Sequence, residues 1–365
     1  MPTAGDTCCR PCACQGACVS WYGGGAYRRD LASCQGLVAG TRGGQVGGFA
    51  LSGGCVAGTW QDKTRGGTWW RSEPGQRPCC VADGAGQAGA EAYAGNAKLA
   101  ALAVAGSVGS GLADRFSDLE LDCYWFSAPG DLDRTGPVDA LGGELKNLWD
   151  YDQDEEEWSE DYHLGELDVT ISNFLTGTID RFLDEVILRA DTDPVKHMRL
   201  AALQRSRSLA GAELIASWRA RADGYPDKLV SAMVEKSLSP QVLTDWAARE
   251  ALASRGDDLA VLDLLTRAGH AVVGAVLALN RVYVPHRAVK WQRHLLTGLD
   301  VAPERLAERL DLLSTSRTAE ALQVAGALLT ETVLLAEART DADLSSFREE
   351  LSQRRRAIDP PRSDR

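Results

Sequence analysis

The strongest constraint on this chain is a change of composition close to residue 98. Nine of the ten cysteines lie before residue 81, and only Cys123 follows. Gly supplies 21 of the first 97 residues, against 16 (37 − 21) of the remaining 268. Aliphatic and Phe side chains before residue 98 are Val19, Leu31, Leu37, Val38, Val46, Phe49, Leu51, Val56 and Val81, with no Ile. Nine such groups bury too little apolar surface to offset backbone entropy of roughly 1–2 kcal/mol per residue. The opening stretch and the remainder therefore need separate accounts.

A chain of 365 residues has room for two domains and a sizeable core. With 51 acidic against 39 basic side chains the formal charge is −12, which argues against a nucleic-acid backbone as a main partner. No uninterrupted run of 18 apolar residues occurs, so no membrane span is expected. The N-terminus lacks a basic start followed by an apolar stretch, and cysteine almost vanishes after residue 80. Both features lead to the expectation of a cytoplasmic protein.

Residues 1–80 carry Cys9 and Cys12 at the two-residue spacing of a zinc knuckle. The stretch has no histidine, and its late pair, Cys79–Cys80, is adjacent. A disulfide framework meets an odd count of nine. The expectation is a Cys/Gly-rich, low-order extension, or a stretch of reading frame in G/C-rich DNA that is not natural protein.

Order is expected from Leu99-Ala-Ala-Leu-Ala-Val-Ala105, a buried strand, which ends in the turn Gly106-Ser107-Val-Gly109-Ser110-Gly111. Asp118-Leu-Glu120-Leu-Asp122-Cys follows, alternating acidic and apolar. In a strand Asp118, Glu120 and Asp122 share one face, with neighbouring carboxylates about 6.6 Å apart. Like charges so placed repel, and a bound divalent cation relieves them.

Gly106-Ser107, ten residues, then Asp118-Leu-Glu120-Leu resembles the motif of the DNA polymerase beta-like nucleotidyltransferase superfamily. The resemblance implies that Gly106 and Ser107 hold a nucleotide triphosphate and that Asp118 and Glu120 hold Mg²⁺. It implies a third carboxylate on a later strand, matched by Asp168 in Leu167-Asp168-Val169, as metal ligand and as base. Glu120 stands where Asp is commoner, and Asp122 on the same face is a second candidate for its role. Glu166 is read as a surface or supporting acid. Arg115, in the active-site turn, is a candidate phosphate contact.

Asp150–Asp161 holds eight acidic side chains and is expected to be a solvated loop, with His163 beside it an exposed histidine. From Pro194 the pattern is helical, over 196–203, 210–222, 227–237, 241–254, 259–280, 303–313 and 319–338. Gly211-Ala-Glu-Leu-Ile-Ala-Ser-Trp218, Tyr225-Pro226, Asn280-Arg-Val-Tyr283-Val-Pro285 and Lys290-Trp291 resemble uncharacterised bacterial nucleotidyltransferases with a helical C-terminal domain, related to antibiotic adenylyltransferases. Asn280, Tyr283 and Lys290 carry over as candidates, Lys290 as a cation for the triphosphate. The alternative for Lys290-Trp291 is a helix anchor with the Trp buried.

The expected fold is α+β: a small mixed-sheet nucleotidyltransferase domain over 81–190, an α-helical bundle over 191–350, and a disordered tail over 351–365. The expected function is transfer of AMP from ATP, with two Mg²⁺ ions, to a hydroxyl acceptor, an aminoglycoside-like small molecule. Alternatives are an antitoxin-type enzyme acting on a protein partner, and a non-catalytic nucleotide-binding protein.

Overall fold

The computed structural model describes residues 48–50, 56–63, 67–71 and 78–356. The strands are β1 Gly48–Ala50, β2 Val56–Lys63, β3 Gly67–Arg71, β4 Leu99–Val104, β5 Leu119–Trp125, β6 Glu144–Asp152, β7 Glu157–Leu164, β8 Leu167–Leu175 and β9 Arg207–Ala210. The helices are α1 Pro78–Tyr93, the single turn α2 Gly106–Gly109, α3 Asp131–Ala140, α4 Thr176–Leu183, α5 Pro194–Arg205, α6 Ala212–Ala222, α7 Asp227–Ser237, α8 Arg249–Arg255, α9 Asp258–Leu279, α10 Gln292–Leu295, α11 Leu306–Thr315, α12 Thr318–Glu337 and α13 Ser345–Ser352. The protein is α+β, as the sequence leads one to expect. Two compact units divide it: residues 1–180 with 202–219, and residues 181–201 with 220–365.

The first unit is built on a six-stranded mixed sheet in the order β6-β7-β8-β5-β4-β9, with β5 and β8 parallel and every other pair antiparallel. On one face Leu119, Leu121, Cys123 and Trp125 of β5 join Val169 and Ile171 of β8 in a core with Ala82, Ala85 and Tyr93 of α1 and Val138 of α3. Helix α1 falls in an Ala- and Gly-rich stretch with no leucine stripe; its small side chains let the helix axis lie close to the sheet. Tyr93 packs edge-on to Trp125 at 6.2 Å between ring centroids and donates its hydroxyl to Arg134 O at 2.9 Å.

The acidic stretch 150–161 is not a loop. It forms the end of β6, a turn at 153–156 and most of β7. Interleaved aromatics explain the difference: Tyr151 packs on Trp158 at 4.6 Å between centroids, and Tyr162 is fully buried. Glu160, also on β7, is fully buried; both its oxygens accept from Asn173 Nδ2 at 3.0 Å, and Arg134 Nη1 stands 3.7 Å away. Asn173 Oδ1 in turn accepts from Trp125 Nε1 at 2.9 Å. Burial pushes the Glu160 carboxyl up to about 7, against the lowering effect of Asn173 and Arg134.

Within the opening stretch, β1, β2 and β3 form a three-stranded antiparallel sheet in which Trp60 and Trp70 are register partners on β2 and β3. Their Thr and Trp residues suit a pleated strand better than an aliphatic count reveals. The cysteines from Cys8 to Cys55, Cys9 and Cys12 among them, lie outside the described residues.

The second unit is helical. Helix α9 packs on α7, α11 and α12 through Val261, Leu264, Leu265, Val272 and Val276. By length and composition α9 and α12 are each apolar enough to cross a membrane, which the search for uninterrupted apolar runs does not detect. Half of the most apolar window of α9, and 44% of that of α12, is buried inside the protein. The segment 241–254 breaks into two 3₁₀ turns and α8, and Pro303 stands ahead of α11 rather than opening it. Helix α13 extends the ordered chain to residue 352, past the expected start of the tail.

Candidate active site

The second face of the sheet carries the acids. Strands β5 and β8 run in parallel register with Leu119 beside Val169 and Glu120 beside Thr170, so Asp118, one residue before β5, stands level with Asp168. Alternation puts Asp118, Glu120 and Asp122 on the face opposite the α1–α3 core, together with Asp168, Thr170 and Ser172. The far end of this face is aromatic. Tyr124 stacks on Phe174 at 6.0 Å and meets Trp218 edge-on at 5.1 Å, and Trp218 Nε1 donates to Asp180 Oδ1 at 3.0 Å.

Between β4 and β5 the chain makes the turn expected of Gly106-Ser107. Ala105 N donates to Glu120 O at 2.9 Å, clamping the turn to β5. Gly106 has φ +57°, and a Cβ placed on it would lie 2.4 Å from Glu120 Cδ. A side chain at this position would strain the backbone and require the Glu120 carboxylate to move. The Glu120 carboxylate thus lies against the backbone of the Gly-Ser turn. Ser107 Oγ makes no hydrogen bond among the described residues.

Asp118 is half-buried, and its carboxylate has no ion pair or side-chain hydrogen bond among the described residues. Asp122 is 5% exposed and accepts from the Tyr124 hydroxyl at 3.3 Å, which places it towards the aromatic end. Asp168 is held by two groups: His163 Nδ1 at 2.7 Å and the Lys146 ammonium Nζ at 3.2 Å, both on Oδ1. The β7–β8 register sets His163 directly opposite Asp168. Lys146 reaches it because the β6–β7 ladder shifts register between Leu145 and Asn147, re-aiming one side chain. Asp161 on β7, beside Thr170, accepts from Thr170 Oγ1 at 2.9 Å and from Asn147 Nδ2 at 3.3 Å. The sequence reading missed Lys146 and set His163 aside; a strand pairing of the acidic stretch is the signal that finds both.

Asp118 and Asp168, level on neighbouring strands, and Glu120 two residues further along the same face are hard oxygen donors, suited to Mg²⁺. As they stand, no three His, Cys, Asp or Glu side chains among the described residues are gathered closely enough to hold a metal ion. Asp168 is engaged by Lys146 and His163 instead.

The other sequence candidates divide. Arg115 is exposed on the 110–118 loop, its guanidinium 4.5 Å from the Phe116 ring centroid, in a turn closed by Asp114 and Ser117. Glu166 sits in the exposed two-residue turn joining β7 and β8. Asn280, Tyr283 and Lys290 belong to the second unit. Asn280 is structural: Nδ2 donates to Val276 O and Val301 O, and Oδ1 accepts from Val301 N. Tyr283 is buried, donating to Ala222 O at 2.8 Å and packing on Tyr225 and His197. Lys290 is exposed on an irregular segment, and Trp291 is 42% exposed, which excludes the buried helix anchor.

Residues 194–292 match a family described as a domain of unknown function (DUF4037). The match takes in the Gly211–Trp218, Tyr225-Pro226 and Lys290-Trp291 strings. No curated protein matches the chain. Among solved structures it is similar to a nucleotidyltransferase-like protein from Exiguobacterium sibiricum 255-15, at 15% sequence identity and a TM-score of 0.32, over 68% of this chain and 74% of that one.

Proposed function

We propose that the protein is a cytoplasmic, Mg²⁺-dependent nucleotidyltransferase that moves AMP from ATP to a hydroxyl acceptor. One observation carries the reading. Asp118 and Asp168 stand level at the start of the parallel pair β5–β8, with Glu120 on the same face and pressed against the Gly106 turn. Asp118 and Glu120 would hold the metal, with Asp168 as a third ligand if released from Lys146 and His163. When bound, Mg²⁺ offsets the triphosphate charge and acidifies the acceptor hydroxyl. The Gly106-Ser107 turn seats the triphosphate, and Lys146 and Arg115 supply cations near it. The acceptor oxygen bonds to the α-phosphorus as the bond from that phosphorus to the β-bridging oxygen breaks. Pyrophosphate leaves, and the hydroxyl proton passes to Asp168.

The engagement of Asp168 by Lys146 and His163 favours one alternative, a nucleotide-binding protein without turnover. Pyrophosphate release separates the two readings. With Mg²⁺, each of the four nucleoside triphosphates and a panel of hydroxyl acceptors that includes aminoglycosides, the first reading expects release that Asp118→Ala removes. Nucleotide binding without release for any acceptor supports the second.

A further inference from the structure

In the second unit, α8, α12, α13 and the turn before α8 line a partly open cavity of about 920 Å³. That lies within the range of sites that hold small organic molecules, roughly 300–1,000 Å³. Its space is kept open by small side chains on α12, Ala319, Gly326 and Ala327, and its apolar wall includes Leu322 and Leu351.

Arg249 is out of place in such a wall. It is 4% exposed and has no carboxylate partner among the described residues. Nη1 donates to Trp246 O at 2.6 Å and to Gln353 O at 3.1 Å, while among the described residues Nη2 has no partner. Trp246, 2% exposed and 4.8 Å from the guanidinium, has its Nε1 unpartnered as well. Burying a guanidinium without a counter-charge is strongly unfavourable, and each unsatisfied donor adds to that cost.

The carboxylates lining the cavity do not serve Arg249. Glu331 is held bidentately by Arg309 at 2.6 and 2.8 Å, and Glu250 pairs with Arg354 at 3.5 Å. Both unpartnered atoms are donors, so the missing group is an acceptor, and the outstanding charge requires it to be negative. We propose that this cavity binds a small organic carboxylate with an apolar body. Its charged end meets Arg249 and Trp246 Nε1, and its body lies against Leu322 and Leu351. Neither donor is open to water, so the carboxylate engages them as the Arg249 side chain turns into the cavity. The inference does not depend on the nucleotidyltransferase reading.

Calorimetric titration of the full chain with octanoate and with octan-1-ol tests it. Octanoate should saturate one site per chain and bind at least tenfold more tightly than the alcohol. Arg249→Met should weaken octanoate at least tenfold and leave octan-1-ol unchanged. Gly326→Leu, whose Cβ meets only Trp246, at an ordinary 3.7 Å, takes up space in the cavity and should weaken both ligands. Should Arg249→Met fail to fold, Gly326→Leu decides alone. Absence of saturable octanoate binding, equal affinity for acid and alcohol, or octanoate binding unchanged in either folded variant overturns the proposal.

Discussion

Gly106 and Glu120 compete for one space: a Cβ on residue 106 would stand 2.4 Å from Glu120 Cδ, and the backbone there has φ +57°. A turn meant only to reverse the chain has no need of a carboxylate against its backbone. Here the arrangement fixes an acid beside the residues that resemble a triphosphate-binding turn.

Gly106→Ala should therefore destabilise the protein by about 1–3 kcal/mol, the left-handed backbone alone accounting for roughly 1–2 kcal/mol. In a Glu120→Ala background the same substitution should cost only the backbone part. Urea unfolding of the four proteins checks this, and an equal cost in both backgrounds would show that Glu120 yields freely.

Asp118→Ala should leave the melting temperature unchanged or slightly raised, because it removes a like-charged neighbour of Glu120 and breaks no ion pair among the described residues. Turnover should fall by at least a hundredfold. Asp122→Asn should lower turnover only a few-fold, since Asp122 lies towards Tyr124 and accepts its hydroxyl. A loss at Asp122 as deep as at Asp118 would make Asp122 the second metal ligand in place of Glu120.

Glu160 gives a pH dependence of stability. Its carboxyl is raised from 4.5 to about 7 by burial, so the folded state binds its proton more tightly than the unfolded chain. The resulting stability is fully present below pH 4.5 and is lost as pH rises through 7, by roughly 3 kcal/mol in total. Glu160→Gln keeps the shape and cannot ionise. Between pH 5 and 8 its melting temperature should therefore gain on that of the wild type by several degrees. Parallel melting curves would contradict the assignment.

Any dispensable part of the chain must end before Pro78. Helix α1 starts there and buries Ala82, Ala85 and Tyr93 in the core, so a start at Val81 would cut into its first turn. A chain beginning at residue 76 should keep its melting temperature and nucleotide binding, with zinc chelators changing neither. A chain beginning at Asn96 should not fold, which circular dichroism would show. Unfolding of the longer version would make the β1–β3 sheet part of the core.

The legible parts of the sequence were those with a local signal. The apolar run 99–104, the acidic–apolar alternation from Asp118 and the stripes of α7, α9 and α12 correspond to elements within a few residues. The pairing of Lys146 and His163 with Asp168 was not legible, because it depends on a hairpin register and a shift within it. The acidic count of 150–161 masked the packing of Trp158 on Tyr151 and the buried Tyr162 just beyond, which favour a strand there. Helix α1 was missed because Ala and Gly give no apolar stripe, although small side chains suit close packing on a sheet. Asn280 and Tyr283 looked functional from motif likeness, yet each satisfies backbone carbonyls within its own unit.

Equilibrium binding of ATP, with Mg²⁺ or with EDTA, to the wild type and to Asp118→Ala tests the central claim most directly. The account predicts saturable binding that needs Mg²⁺ and weakens at least tenfold in Asp118→Ala at an unchanged melting temperature. Binding that is indifferent to EDTA and to Asp118→Ala, or no binding of any of the four nucleoside triphosphates, would contradict it.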